Sequence, residues 1–151
     1  MAEFMLPKNS KVQPGITHRA PDGAENVRAF KVYRYDPEGD GNPRLDVFEL
    51  DLADCGPMVL DALIKMKAEQ DGSLTFRRSC RHAICGSCAM NVNGLNVLVC
   101  KTPIRSVLDK KNTVIIRPLP YLPVIKDLVV DRSSFWAQYQ RVRPWLIPPE
   151  E

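Results

Sequence analysis

Ser79-Cys80-Arg81-His82-Ala83-Ile84-Cys85-Gly86-Ser87-Cys88, with Cys100 further on, is the stretch around which the rest of the chain is arranged. Four of the five cysteines fall here, spaced C-x4-C-x2-C-x11-C. Thiolates at such intervals read first as metal ligands. A tight loop would supply three of them from one side, and the end of a following hairpin would supply the fourth. That hairpin is legible. Residues 88–92 and 95–100 alternate on either side of Asn93-Gly94, a strong hairpin signal. It brings Cys88 and Cys100 to the same end of two neighbouring strands.

C-x4-C-x2-C followed by a more distant cysteine is the plant-type spacing of a [2Fe–2S] cluster. The x4 gap lets the backbone arch over the cluster. Ala83 and Gly86 avoid crowding the sulfides, and Gly86 and Ser87 are small enough to aim backbone N–H groups at sulfur. Such donors, with Arg77, Arg78 and Arg81 nearby, would stabilise an added electron. A structural zinc site is a competing reading, although zinc sites usually show paired C-x2-C knuckles and only one such pair is present. Disulfides or unliganded thiols are a third. Four cysteines in one loop region and no evident secretory signal weigh against them. Cys55 lies outside the spacing and reads as a packed, inert thiol.

The 151 residues fit one ordinary domain with extensions, and a hydrophobic content of 44% can build a core. No apolar run approaches the roughly 20 residues that span a bilayer, so any membrane association is expected through a partner. A net charge of +3 is too modest to argue for a nucleic-acid partner, and the basic residues form no long run, so none is expected. The start reads as neither a signal peptide nor a transit peptide.

Residues 1–26, with Pro7, Pro14 and Pro21, are expected to form an extended arm with little secondary structure. Residues 27–35 and 44–50 alternate around a turn cluster at 36–43 and predict an antiparallel hairpin. Apolar positions 59, 60, 63, 64 and 66 predict a helix over 58–69, with Pro57 in its first turn and Asp54 as a candidate cap. Met58 and Met66 read as core. Residues 103–108 are expected to be irregular or a short turn, and 113–117 the last strand of the sheet. Residues 118–123 must be extended, 125–130 read as a short helix, and 135–142 as another, capped by Ser133 or Ser134. The predicted organisation is an arm at 1–26, a ferredoxin domain at 27–118, and a proline-rich extension at 119–151 that packs on a partner.

Residues 79–94 closely resemble the iron–sulfur subunit of succinate dehydrogenase (respiratory complex II) and of its relative fumarate reductase. Cys55-Gly56-Pro57-Met58-Val59-Leu60-Asp61-Ala62-Leu63, Leu74-Thr75-Phe76-Arg77-Arg78-Ser79 and Phe135-Trp136-Ala137-Gln138-Tyr139 are similar to the same family. The resemblance implies an α+β fold, the β-grasp of plant-type ferredoxins. It assigns Cys80, Cys85, Cys88 and Cys100 as cluster ligands and no catalytic residue. It also implies partners: a flavoprotein (FAD) subunit that oxidises succinate to fumarate, a chain or domain carrying [4Fe–4S] and [3Fe–4S] clusters, and membrane anchor subunits that lead to quinone. The implied location is peripheral on an inner membrane, at the mitochondrial matrix side or the bacterial cytoplasmic side. A free ferredoxin carrier, a fumarate reductase running in reverse and a redox-silent scaffold are the alternatives.

Two departures stand out. His82-Ala83 occupies the place where succinate dehydrogenases usually carry Glu-Gly, and the Ala83-Ile84 pair is similar to the fumarate reductase branch. His82 is expected to face solvent rather than to act as a ligand. The family also continues into a helical domain with C-x2-C-x2-C-x3-C-P, whereas only Cys55 is left here outside the first set. The further clusters are therefore expected on a separate chain or an absent domain, with Trp136, Tyr139 and Trp145 facing a partner.

Overall fold

Residues 11–39 and 41–148 are described in the structure, a computed structural model. The first ten residues of the expected arm, Asp40 of the turn cluster and residues 149–151 lie outside them. The alternating segments form the expected hairpin. Strand β2 (Val27–Arg34) pairs antiparallel with β3 (Arg44–Asp51), with Phe30 opposite Phe48 and Val32 opposite Asp46. Side chains alternate across a strand, so Phe30 and Val32 share the core face with Phe48 and Leu50. Each is at most 1% exposed. The same alternation carries Arg34 and Asp46 into the interior.

The arm is not structureless. Its residues 13–18 form β1 (Gln13–His18), which pairs parallel with β3 despite an irregularity between Pro14 and Thr17. Proline is tolerated on such an edge because its missing N–H faces away from the ladder. Asp46 holds the irregular part by accepting the Ile16 N–H at 2.8 Å. His18 stacks on Phe48, with ring centroids 4.4 Å apart. Side-chain contacts from β3 therefore override a proline-rich composition.

Helix α1 (Val59–Glu69) packs Val59, Leu60, Ala62, Leu63 and Met66 into the core, which agrees with the helical stripe. Met58 is the N-cap and is only half-buried. Asp61, one turn in, accepts the Met58 N–H at 3.0 Å. Asp54 is not the cap but pairs with Lys65 at 2.7 Å. After the cysteine loop, β4 (Ala89–Val92) and β5 (Leu95–Leu98) make the Asn-Gly hairpin. Both turn residues have positive φ, Asn93 at 47° and Gly94 at 89°, as the tight hairpin turn demands. A single-turn helix, α2 (Ile104–Val107), precedes β6 (Thr113–Arg117). Last of the main sheet in chain order, β6 is central in space, because the strand order is β1-β3-β2-β6-β4-β5. It lies parallel to β2 and antiparallel to β4. A mixed sheet covered by α1 is the expected β-grasp.

The reading of 125–130 as a helix is corrected. Val124–Lys126 (β7) and Val129–Val130 (β8) form a small antiparallel hairpin. Asp127, at φ 46°, turns it. The buried Asp127 carboxylate accepts from Tyr35 N–H at 3.0 Å, Thr75 N–H at 2.9 Å and Arg34 Nε at 3.1 Å. Helix α3 (Ser133–Val142) follows. Its N-cap is Arg132 rather than a serine, and it buries none of its residues.

Candidate metal centre

The loop from Ser79 to Cys88 has no regular secondary structure, yet its backbone is specified closely. Arg81 and Ala83 both have φ of 58°, and Gly86 has φ of 69°. Alternating left- and right-handed residues turn successive N–H groups to one side and make an anion-binding concavity. The Cys80 Sγ accepts the N–H groups of His82 at 3.3 Å, Ile84 at 3.4 Å and Cys85 at 3.4 Å. The donors to Cys80 are thus not Gly86 and Ser87, whereas the Ser87 backbone N–H does act on the Cys85 sulfur, as expected. The Ser87 hydroxyl adds a second contact, 3.1 Å from the Cys85 Sγ.

The other side of the centre is held by α1. The first turn of a helix has N–H groups with no partner inside the helix. Here Leu60 N–H donates to the Val99 carbonyl at 3.0 Å and Val59 N–H to the Thr102 carbonyl at 2.9 Å, on both sides of Cys100. Val99 N–H donates to the Cys88 carbonyl at 3.3 Å and closes the hairpin end. Cys88 and Cys100 are buried, whereas Cys85 is exposed and Cys80 half-exposed.

The cysteines act on one another two by two. Cys80 is among the groups that act on the Cys85 thiol, and Cys100 among those that act on the Cys88 thiol. A single tetrahedral zinc, with Zn–S near 2.3 Å, would need all four sulfurs about 3.8 Å apart. Among the described residues, the one group of three or more potential ligands lying within 4.8 Å of one another is His18, Asp46 and Asp71. No three of the cysteines meet that condition. Two separate thiolate pairs suit two metal ions joined by bridging sulfides, so the donor set fits a [2Fe–2S] cluster better than one zinc.

The electrostatics follow the same division. The Ser87 hydroxyl and then Cys80 bring the Cys85 thiol down to about 6, which favours the thiolate that a metal requires. Burial pushes the Cys88 thiol up. Burial also raises Cys55, which packs partly against the core and joins neither pair. Arg81 reaches Asp61 at only 3.9 Å, with both side chains well solvated, a geometry worth little. Arg77 is engaged instead with the Val130 carbonyl at 2.9 Å. His82 is exposed, as expected.

A set of residues missed in the sequence approaches from the C-terminal hairpin. Leu128 N–H donates to the Thr75 carbonyl at 3.2 Å, and Arg132 Nη2 approaches the carbonyls of Gly86 at 3.3 Å and Ser87 at 3.5 Å. No local pattern signals these contacts, which arise only when the β7–β8 hairpin folds back over the loop.

Comparison with known proteins agrees with this chemistry. A family described as 2Fe-2S iron-sulfur cluster binding domain matches residues 29–137. The succinate dehydrogenase iron-sulfur subunit of Paracoccus denitrificans is 54% identical over 147 residues, covering 97% of this chain and 56% of that protein. The chain thus spans about half the length of this curated relative. Among solved structures, one described as the Mycobacterium smegmatis Sdh1 complex in the apo form aligns with a TM-score of 0.68 at 31% identity, over 82% of this chain and 49% of that one. A hypothetical protein from Helicobacter pylori aligns with a TM-score of 0.56 at 17% identity, over 83% of this chain and 23% of that one; it shares the fold. By fold and by the matched family, the chain belongs to the 2Fe-2S iron-sulfur cluster binding domain family.

Proposed function

We propose that this chain is the [2Fe–2S] electron-transfer part of the iron–sulfur subunit of a succinate:quinone oxidoreductase. The observation that carries the reading is the 54% identity to a succinate dehydrogenase iron-sulfur subunit across 97% of the chain, joined to the paired cysteines. Cys80 and Cys85 would hold one metal ion, and Cys88 and Cys100 the other. When bound, the cluster supplies one-electron chemistry.

The chain's own residues prepare the site. The N–H groups of His82, Ile84 and Cys85 spread the charge of the Cys80 thiolate, and hydrogen bonds to ligand sulfur raise a cluster's potential. The carbonyls of Val99 and Thr102, anchored on α1, keep Cys100 in place. The exposed Cys80–Cys85 side is the natural approach for an electron partner, while Val99, Met90 and Ile104 exclude water from the Cys88–Cys100 side.

In this reading a flavoprotein (FAD) subunit oxidises succinate to fumarate and delivers electrons to this domain. They continue toward quinone through [4Fe–4S] and [3Fe–4S] clusters on another domain or chain. Membrane anchor subunits place the assembly on an inner membrane, at the mitochondrial matrix or bacterial cytoplasmic face. Among the described residues no helix is long and apolar enough to cross a membrane. Residues 27–118 serve as the cluster domain. Beyond the β7–β8 hairpin the extension would pack on a partner, in keeping with Phe135, Trp136 and Trp145, each about half exposed.

Anaerobic purification from native membranes tests the proposal. The expected result is a dithionite-reduced [2Fe–2S] signal with a flavoprotein and a protein bearing the further clusters. The same signal with this chain alone would favour a free carrier.

A further inference from the structure

Arg132 links β8 to α3, and its side chain turns back to the cysteine loop. Its Nη2 lies 3.3 Å from the Gly86 carbonyl and 3.5 Å from that of Ser87. These are the two residues between Cys85 and Cys88. The Arg132 Nε is shielded from solvent, so the guanidinium acts on the loop through protein as well as through water, where charge is felt more strongly. The contact ends a seam. Asp127 and Leu128 bind both polar backbone groups of Thr75, and the Val130 carbonyl accepts from Arg77 at 2.9 Å. The segment from Asp127 to Arg132 therefore grips the cysteine loop before Cys80 and again between Cys85 and Cys88. At this second point the chain turns, with Gly86 at φ 69° and its carbonyl also accepting the Ala89 N–H at 3.2 Å.

We propose that Arg132 is a positioning residue for the metal centre: it fixes the Gly86–Ser87 turn that joins ligands on the two sides of the site, and its charge favours the reduced, more negative state. The proposal rests on the cysteine assignment above. Both carbonyls lie near the one Nη2, whose N–H groups are fixed in the guanidinium plane, whereas a lysine keeps the charge on a flexible stem without that fixed orientation.

The test uses the full chain loaded with its cluster, comparing wild type with Arg132→Gln and Arg132→Lys. Two quantities are read: the midpoint potential by redox titration, and the rate of cluster loss to an iron chelator. In Arg132→Gln the reduced-to-oxidised ratio at the wild-type midpoint should fall roughly threefold to tenfold, as loss of a nearby positive charge requires. Cluster loss should quicken several-fold. Arg132→Lys should restore most of the potential but not the slow loss. A merely structural arginine would lower thermal stability in both variants and leave the potential alone. An unchanged midpoint in Arg132→Gln overturns the proposal; if that variant holds no cluster, a wild-type loss rate in Arg132→Lys overturns it. Cys85→Ala is the control. If it keeps a full [2Fe–2S] spectrum, the cysteine assignment has failed rather than the role of Arg132.

Discussion

Replacing Arg34 with Met should destabilise the fold more than any surface substitution. The Arg34 side chain is 5% exposed and binds four groups: Asp127 at 3.1 Å, Asp46 at 3.3 Å, Asp71 at 2.6 Å and Ser73 at 2.7 Å. Removing one member of a buried ion pair typically costs about 3–5 kcal/mol, because the partner's charge stays buried. Here the carboxylates keep other partners. Asp46 retains Arg44 at 2.8 Å, and Asp127 retains the N–H groups of Tyr35 and Thr75. The lower end, about 3 kcal/mol at pH 7, is therefore expected. With a urea m-value of about 1–3 kcal/mol/M, the midpoint should fall by about 1 M or more.

The pH dependence has a definite sign. Burial pushes the Asp71 carboxyl up, but hydrogen bonds from Arg34 and Ser73 outweigh it and hold the group well below the usual carboxylate range. Its contribution is present above the unfolded value near 3.9 and is lost as pH falls through the lower folded value. The gap between wild type and Arg34→Met should thus be largest at neutral pH and shrink below about pH 4. Anaerobic urea unfolding followed by circular dichroism at several pH values measures this. Equal midpoints at pH 7, or a gap that widens in acid, would refute the reasoning.

Two further outcomes are expected. Ala83→Gly should stabilise the chain by about 1 kcal/mol, raising Tm by about 2–4 °C, since Ala83 holds a φ of 58° that glycine adopts without strain; a lower Tm would contradict it. In the metal-free, reduced chain at pH 7, iodoacetamide should label Cys85 first and Cys55 late, because the first is exposed with its thiol at about 6 and the second is raised by burial; peptide mass spectrometry orders the two, and the reverse order would be decisive against it.

Much of the molecule was legible where local chemistry decides structure. The cysteine spacing, the Asn93-Gly94 turn and the apolar stripe of α1 are each sufficient alone, and together they bring Cys88 and Cys100 side by side. What could not be read depends on distant partners. Residues 125–130 carry an apolar pattern compatible with a helix, and the hairpin wins because Asp127 is fixed by Arg34, Tyr35 and Thr75. Residues 13–18 become a strand because β3 offers an edge and Asp46 an acceptor. Asp61 rather than Asp54 caps α1, since it reaches back from inside the first turn. The donors to Cys80 come from a backbone path set by Arg81 and Ala83, residue types that do not advertise a left-handed conformation.

The central claim is that the four cysteines, in two pairs, hold one [2Fe–2S] cluster. The most direct test is anaerobic reconstitution of the wild-type chain and Cys85→Ala, with iron and acid-labile sulfide assayed alongside EPR of the reduced proteins. Equal amounts of iron and sulfide with a reduced [2Fe–2S] signal, both lost in Cys85→Ala, are the predicted result. A wild-type chain that takes up a single zinc without sulfide, or a Cys85→Ala chain with an undiminished [2Fe–2S] signal, would contradict it.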